Sequence, residues 1–287
     1  MNLFLTGANG YIGRNFVKKA SKNHKIFAVT RKKKNKRIKN VKWLIGPIDK
    51  NWKFLKKADV LIHLATVGAY NKKSKFDETF EFNVKRSSNL LINAIKANCK
   101  KWLIISTNKE KKISKLVNRK MIKNTHSNEP HSNEPHFNYA LTKFIFSKIC
   151  KDLSTIFNVK CRIIKLFHVY GNDEPKNRLW PLLNHYSKNN KNLKMSSGLQ
   201  TYDFNHIDDV IDGLIKTLDF RKNTKRKFPQ EWDLASGKSM SVKLFAKRIW
   251  KKNNGKSKIL FSQIKNFDSD NYLANKKQLW KINYRNP

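Results

Sequence analysis

Tyr139 and Lys143, four residues apart in the segment NYALTK, are the pair in this chain best suited to moving a proton. They begin a helix-like stretch, and residues four apart lie on one face of a helix. A neighbouring ammonium favours the phenolate and lowers the pKa of a tyrosine from its ordinary value of about 10. The pair predicts an acid/base in which Tyr139 exchanges a proton and Lys143 lowers the Tyr139 pKa. In a lysine-rich chain such a pair also arises by chance, so its neighbours matter.

Three glycines, Gly7, Gly10 and Gly13, lie in TGANGYIG, where an apolar run at residues 2 to 6 leads into a predicted helix at residues 11 to 20. Their spacing allows a tight turn, a close approach of a pyrophosphate to the backbone, and close packing of helix on strand. Phosphate charge is stabilised at a helix N-terminus. The segment predicts a dinucleotide site, the alternative being a glycine turn without a ligand.

The end of the second predicted strand, residues 25 to 30, bears on the choice of cofactor. An acid in this region binds the ribose 2′-hydroxyl of NAD, whereas a base accommodates the 2′-phosphate of NADP. Here the strand runs into Arg31, Lys32 and Lys33, with no acid among them. We therefore favour NADP over NAD, with Arg31 as a contact, although basic residues occur throughout this chain.

Ser106 and Thr107 end the predicted fifth strand. Hydroxyls at the carboxyl edge of a parallel sheet face its ligand crevice, so one of them can hydrogen-bond the substrate oxygen that Tyr139 serves. The alternative is an ordinary pair of strand-end hydroxyls.

These residues require strands that alternate with helices. Unalternating apolar runs predict strands at residues 2 to 6, 25 to 30, 41 to 45, 59 to 64, 102 to 106 and 161 to 167, and such runs suit strands buried on both faces. Helices are predicted at residues 11 to 20, 76 to 98 and 138 to 157. The order implies an α/β fold, a Rossmann-type doubly wound parallel sheet. We assign residues 1 to 171 to it and 172 to 287 to a small C-terminal α/β substrate-binding region, with residues 201 to 212 and 231 to 237 returning to the Rossmann core.

The composition adds a charge argument. The chain has 62 Lys and Arg against 20 Asp and Glu, a formal charge of +42, which suggests a polyanionic partner. The excess runs through the whole chain, although residues 31 to 39 are densest, whereas a dedicated nucleic-acid reader concentrates its charge on one element. Lysine and asparagine abundance fits an AT-rich genome. Nucleic-acid binding is therefore the least favoured of three functions.

Targeting and metal signals give further expectations. The apolar runs are far shorter than the roughly 20 residues that cross a bilayer, and the N-terminus has no basic segment, so we expect no membrane association and a cytoplasmic protein. Three cysteines without a CxxC pair argue against disulfides and zinc. The histidines of HSNEPHSNEPH, residues 126 to 136, recur every five residues, and we expect a solvated loop and no metal site.

Together with these motifs, the sequence resembles the NAD-dependent epimerase/dehydratase family of extended short-chain dehydrogenases, nearly end to end. The matching segments are TGANGYIG, DVLIHLA, FNVKRSSNLLINAIK, IIST, YALTK, LFHVYG, TYDFNHIDDV, WDLASG and YLANKKQLW. HVYG followed by DEP, RLWP and DFNHIDDV looks most like the nucleotide-sugar 4-ketoreductase branch that includes CDP-abequose synthase.

The resemblance implies hydride transfer to or from a nucleotide-activated sugar, by a 4-ketoreductase or an epimerase that dimerises through the two long helices. Tyr139 is then the acid/base, with Lys143 on the nicotinamide ribose and Thr107 on the substrate. The implied cofactor contacts are Gly7, Asn9, Gly10, Tyr11, Ile12, Gly13, Arg31, Leu64, Ala65, Asn83 and Lys143. The implied substrate contacts are Thr66, Ser106, Asn108, His168, Arg178 and Tyr202.

Several positions depart from the family pattern. Residues 46 to 48, GPI, replace Gly-Asp-Leu, and Tyr202 replaces an arginine that often contacts phosphate. NKEKK, residues 108 to 112, replaces Val-Tyr-Gly, and Lys165 replaces a frequent arginine. These losses leave the cofactor and proton-transfer residues intact. They keep open a second function, a protein that senses NADP(H) without turning over a sugar.

Overall fold

The computed structural model describes residues 1–31, 37–70, 74–123, 136–222, 226–262 and 273–287. Its strands are β1 Asn2–Thr6, β2 Lys25–Thr30, β3 Val41–Ile45, β4 Val60–His63, β5 Lys101–Thr107, β6 Lys160–Leu166, β7 His168–Tyr170, β8 Leu193–Met195, β9 Thr201–Tyr202, β10 Phe204–His206, β11 Gln230–Ala235, β12 Met240–Ser241, β13 Ile259–Phe261 and β14 Leu279–Lys281. The six predicted strands are all present, with ends that differ by at most one residue.

The α-helices are α1 Tyr11–Ala20, α2 Phe76–Phe80, α3 Ser87–Lys96, α4 Glu110–Lys123, α5 Phe137–Ile156, α6 Leu179–Lys188, α7 Ile207–Lys216 and α8 Val242–Lys252. A π-helical segment, Glu81–Arg86, joins α2 to α3, so the predicted helix over residues 76 to 98 forms with a widened turn in its middle. Short 3₁₀ turns occur at Lys53–Lys57 and Lys276–Gln278.

Among the described residues, the large sheet has eight strands in the order β14-β11-β6-β5-β4-β1-β2-β3. β1 pairs in parallel with both β2 and β4, and β4 pairs in parallel with β5. The chain starts in the middle of the sheet, builds outwards to β3, and then returns to build the other side from β4. This confirms the doubly wound α/β fold and places the carboxyl ends of β1, β4 and β5 next to one another.

A buried apolar cluster holds this sheet to its helices. Phe4, Leu61 and Trp102 from β1, β4 and β5 belong to one cluster with Leu90 of α3 and Phe146 of α5. Every residue of β4 is buried, which explains its unalternating sequence, since both faces of the strand are covered. The cluster fixes α5, and with it the first turn of that helix, against the sheet.

The chain divides into two compact units, Met1–Lys165 with Ile215–Trp232, and Leu166–Leu214 with Asp233–Pro287. This differs from the predicted boundary after residue 171. Of the segments expected to return to the Rossmann core, residues 201 to 212 belong to the second unit, where β9 pairs with β12 and β10 with β7. The partners of such short strands are set by tertiary packing, which the local sequence does not encode.

The second unit has its own core. Phe204 of β10 stacks on Phe245 of α8, with ring centroids 4.0 Å apart. Asp203 is buried and accepts hydrogen bonds from the Ser236 hydroxyl and the Gly237 backbone amide, both at 2.7 Å. Asp209 is buried, and its carboxylate lies 2.7 Å from the guanidinium of Arg285. This ion pair ties α7 to the C-terminal segment.

The remaining expectations concern membranes, cysteines and metals. Across the described ranges, no helix is long and apolar enough to span a membrane. Cys99, Cys150 and Cys161 are buried and free of disulfides. Residues 126 to 135 of the histidine repeat lie outside the described residues. Within the described part of the chain, no three His, Cys, Asp or Glu side chains are grouped as metal ligands.

Candidate active site

Only glycine fits at two positions where β1 leads into α1: Gly7 in the turn and Gly13 in the first turn of the helix. Gly7 has φ +75°, and a Cβ there would lie 2.5 Å from the backbone nitrogen of Ala65. A Cβ on Gly13 would lie 2.0 Å from the carbonyl oxygen of Gly7. The backbone amide of Gly10 donates to that same oxygen at 3.0 Å. The first turn of α1 therefore packs directly on the chain that leaves β1, beside the end of β4.

The N-terminus of α1 suits an anion. Gly10 is its N-cap and provides no side-chain hydrogen bond, and the first turn of α1 contains no acid. Backbone amides at such an end favour phosphate oxygens. A Cβ on Gly10 would come within 3.3 Å of the Gly7 oxygen, so a side chain at this position would crowd the turn. The residues present thus fit the diphosphate of a dinucleotide.

Asn9 links this turn to the end of β2. Its side-chain amide donates to the Thr30 hydroxyl, and Arg31 follows directly with an exposed side chain. Lys32 and Lys33 lie outside the described residues. Tyr11 is buried, while Ile12 is partly exposed at the start of α1.

Asn83 fixes the loop that follows β4. Its carbonyl oxygen accepts from the Thr66 hydroxyl at 3.0 Å and from the Val67 amide at 2.9 Å. Its amide donates to the Val67 carbonyl and to the Thr142 hydroxyl, both at 3.1 Å. All four hydrogen bonds of this amide side chain go to the protein. Asn83 therefore positions the segment of Leu64, Ala65 and Thr66 and ties it to α5.

Tyr139 and Thr107 are brought together as the sequence suggests. The Thr107 side chain hydrogen-bonds the Tyr139 phenol, which joins the end of β5 to the first turn of α5. Thr107 is 8 % exposed and Asn108 is 7 % exposed, so both lie beneath the surface. The hydroxyl of Thr107 also accepts from the Lys109 amide at 3.3 Å, which holds this side chain in place.

Lys143 is buried against the same strand. Its ammonium donates to the backbone carbonyl of Ile105 at 2.6 Å. Burial lowers the pKa of Lys143, while the charge of Glu110 opposes that shift. An ammonium at the end of β5, one turn from Tyr139, can hold a ribose hydroxyl and orient the phenol.

The expected effect on Tyr139 is corrected by the structure. The pKa of Tyr139 is raised, first by burial and then by the negative charges of Glu110 and Tyr70, with only the Thr107 hydrogen bond lowering it. Sequence reasoning predicted a lowered pKa because it considered Lys143 alone. In the folded chain the phenol is therefore protonated at neutral pH.

Glu110 is a buried residue beside this site that sequence reasoning missed. It begins α4, a helix that was not predicted, in the NKEKK segment that departs from the family pattern. Its carboxylate is 1 % exposed and accepts hydrogen bonds from the hydroxyls of Ser106 and Ser147. The Ser106 hydroxyl, proposed for the substrate, is thus bonded to Glu110. An acid in a lysine-rich segment, four residues after a strand-end serine, was the available signal.

The proposed substrate residues of the second unit are His168, Tyr202 and Arg178. The His168 ring stacks on the Tyr202 ring with centroids 5.4 Å apart, and both rings border the buried Phe204. Arg178 is the N-cap of α6, and its guanidinium lies 3.3 Å from the carboxylate of Glu174. Burial raises the pKa of Glu174 to about 7, opposed by Arg178.

Within the first unit, the arrangement combines a candidate phosphate cradle with a candidate proton-exchange group. The glycine turn, the loop held by Asn83, and the Thr107–Tyr139 pair all lie at the carboxyl ends of β1, β4 and β5. That is the edge where open parallel sheets bind dinucleotides.

The sequence matches a known family. A model of the NAD dependent epimerase/dehydratase family matches residues 3–229. CDP-abequose synthase of Salmonella typhimurium strain LT2 is 25 % identical over 304 residues, which cover 98 % of this chain and 93 % of that protein.

Solved structures resemble this fold. A UDP-N-acetylglucosamine 4-epimerase from Methanobrevibacter ruminantium M1, in complex with UDP-N-acetylmuramic acid, has a TM-score of 0.77 and 18 % identity, covering 96 % of this chain and 89 % of that one. A UDP-glucuronic acid 4-epimerase from Bacillus cereus, in complex with UDP-glucuronic acid and NAD, has a TM-score of 0.73 and 19 % identity, covering 98 % and 90 %.

Proposed function

The chain belongs to the NAD dependent epimerase/dehydratase family, and from that premise we propose that it moves hydride to or from a carbon of a nucleotide-activated sugar, as a 4-ketoreductase or an epimerase. The observation that carries the proposal is the hydrogen bond between Thr107 and Tyr139, one turn from the buried Lys143. The sugar-nucleotide substrate is supported by the similarity to CDP-abequose synthase over nearly the whole chain.

Each of the three side chains then has a role. Tyr139 gives its proton to the sugar oxygen in reduction and takes it back in oxidation. Thr107 orients that oxygen, and Lys143 holds a ribose hydroxyl of the cofactor. A bound nicotinamide supplies or accepts the hydride. The raised pKa of Tyr139 means that the phenol is protonated at neutral pH, which is the state that reduction of a ketone requires.

We also propose that NADP is preferred over NAD. Gly7, Gly10 and Gly13 would hold the diphosphate at the N-terminus of α1, with Asn9, Tyr11, Ile12, Leu64 and Ala65 around it. Arg31 is exposed at the end of β2, where a guanidinium can accept a 2′-phosphate. Asn83 contributes by fixing the loop of Leu64 and Ala65.

We propose six side chains as contacts of the sugar nucleotide. Thr66 and Asn108 would hydrogen-bond the sugar. Ser106, whose hydroxyl donates to Glu110, would contact the sugar through its remaining acceptor capacity. His168, Arg178 and Tyr202 would serve the nucleotide, with Arg178 as the cation for its phosphates.

We propose a homodimer through the two long helices, α2–α3 and α5. Phe80, Ile92 and Ile156 on these helices are 37 %, 40 % and 71 % exposed, and such apolar side chains suit a helix-to-helix interface. Sedimentation of wild type against Ile92→Lys tests this: the variant should sediment as a monomer, and an unchanged dimer would place the interface elsewhere.

The activity is tested on the purified protein in two steps. Native mass spectrometry shows whether NAD stays bound, which an epimerase requires and a reductase does not. NADPH oxidation is then followed with CDP- and UDP-linked 4-ketohexoses, and epimerisation with UDP-glucose and UDP-N-acetylglucosamine. Turnover of any of these supports the proposal. Binding of NADPH with no turnover across the panel would instead favour the sensor. Binding to nucleic acid alone, with an affinity that falls steeply as salt is added, would favour a nucleic-acid-binding protein.

A further inference from the structure

We propose that Glu110 is a positioning residue for proton transfer at Tyr139: it holds the end of β5 against α5 and places a buried carboxylate on the strand and the helix that carry Thr107 and Tyr139. This inference rests on the proposed role of Tyr139. It concerns a residue that lies where the chain departs from its family's pattern.

The first argument is the bridge made by one carboxylate oxygen. Oε1 of Glu110 accepts from the hydroxyl of Ser106 and, at 2.8 Å, from the hydroxyl of Ser147. Ser106 precedes Thr107 in β5, and Ser147 lies two turns after Tyr139 in α5. The strand that carries the orienting hydroxyl and the helix that carries the phenol are thus joined through a single buried oxygen.

The second argument is the row of charges behind it. Oε2 of Glu110 lies 3.5 Å from the ammonium of Lys165, which lies 3.4 Å from Glu231, which in turn pairs with Lys151 at 2.9 Å. Opposite charges alternate along this row. Burial raises the pKa of Glu110, and Lys165 and the two hydroxyls oppose that shift. A paired carboxylate with two hydroxyl donors can stay ionised although it is buried.

A small polar cavity adjoins this row. Its volume is about 80 Å³, enough for a few water molecules. Its lining includes Glu110, Ser147, Lys148, Lys165 and Glu231. Water in this cavity can solvate the charged side chains around it. The two acids and the three lysines, Lys148, Lys151 and Lys165, can therefore lie together beside the core.

The third argument is electrostatic and acts on both groups of the proton-exchange pair. The charge of Glu110 raises the pKa of Tyr139 and also that of Lys143. Tyr70 is the other acid that acts on Tyr139, from the loop after β4. One negative charge therefore favours a protonated phenol and a charged ammonium together, the pair of states that reduction of a ketone requires.

The test is substrate-free. Protein containing isotope-labelled tyrosine is titrated by NMR with NAD added, and the Tyr139 signal is identified by its loss in Tyr139→Phe. In Glu110→Gln, which keeps the size and the acceptor oxygen but removes the charge, Tyr139 should titrate about one pH unit lower than in wild type. Glu231→Gln is the matched control, since it removes the other acid of the row, and should leave the Tyr139 titration unchanged.

Identical titration curves of the Tyr139 signal in wild type and Glu110→Gln overturn the inference, and so does the absence of titration in both proteins up to alkaline unfolding. A shift of the Tyr139 titration in Glu231→Gln as large as that in Glu110→Gln also overturns it. If Glu110→Gln does not fold, wild type decides: its Tyr139 signal should move as Glu110 ionises, also in Glu231→Gln, and a flat signal overturns the inference. A shifted signal without sugar turnover counts against the proposed function alone. Turnover with an unshifted signal counts against Glu110 alone.

Discussion

The ammonium of Lys143 donates a hydrogen bond of 2.6 Å to the backbone carbonyl of Ile105. Ile105 lies in β5 two residues before Thr107, and Lys143 lies in α5 one turn after Tyr139. The bond fixes the helix that carries the phenol to the strand that carries the hydroxyl. The distance between Tyr139 and Thr107 is therefore set by the packing of α5 on the sheet, and not by the loops next to these residues.

Tyr139→Phe should lower nucleotide-sugar turnover by about 100-fold to 10,000-fold, because the proton donor is lost while the ring remains. NADPH affinity, measured by fluorescence titration, should stay nearly unchanged. Tyr186→Phe in α6 is the control and should turn over normally. Near-normal activity of Tyr139→Phe would remove this residue from proton transfer.

Gly13→Ala and Gly10→Ala should fail in different ways. At Gly13 the added Cβ would lie 2.0 Å from a backbone oxygen, so urea unfolding should show a loss of about 3 kcal/mol. At Gly10 the nearest atom is 3.3 Å away, so stability should fall by much less than in Gly13→Ala, while NADPH affinity falls. Equal effects of the two substitutions on both measurements would contradict the phosphate cradle.

Arg31→Ala should weaken NADPH binding by about 1.5 to 3 kcal/mol and leave NADH binding nearly unchanged, because a charge-assisted hydrogen bond to the 2′-phosphate is lost. Lys25→Ala, at the opposite end of β2, removes the same charge far from the proposed contact. Isothermal titration with both cofactors checks this, and equal losses for NADPH and NADH would exclude Arg31 from the site.

His63 should make stability fall in acid. Its ring is buried, bonded to the Thr6 hydroxyl at 2.7 Å and to the Ser87 hydroxyl at 3.1 Å, and burial lowers its pKa to about 3. The unfolded chain binds this proton at an ordinary pKa of about 6.5. Above that pH, His63 therefore does not lower the free energy of unfolding.

Between pH values of about 6.5 and 3 this one group should remove up to about 1.4 kcal/mol per pH unit. Urea unfolding of wild type and His63→Gln across this range measures the difference in slope. Parallel slopes would show that His63 is already able to protonate in the folded chain.

Arg162→Lys should destabilise the first unit by about 3 kcal/mol. The Arg162 side chain is completely buried, and it donates to Gln230 and to the carbonyls of Thr217 and Lys222. A lysine cannot reproduce this planar fan of donors. Arg221→Lys, in an exposed pair with Asp219, is the control and should change stability by less than about 0.5 kcal/mol.

Much of the fold follows from local patterns. The unalternating runs that become β1, β2 and β4 are buried on both faces, and glycines stand where the chain must turn closely. The short strands of the second unit were less predictable. Thr201 and Tyr202 pair with Ser241 and Met240, and no feature within two residues specifies a partner so far along the chain.

By itself, the sequence determined the sheet and the glycine turn and predicted Tyr139 and Lys143 as the proton-exchange pair, because each depends on periodicity or on spacing along one element. Only the tertiary structure decided the direction of the Tyr139 pKa and the place of Glu110. Desolvation and charge act through space, so they depend on which side chains meet between β5, α4 and α5. Lys143 is near in sequence and predicted a lowered pKa, whereas burial and a carboxylate from another helix raise it.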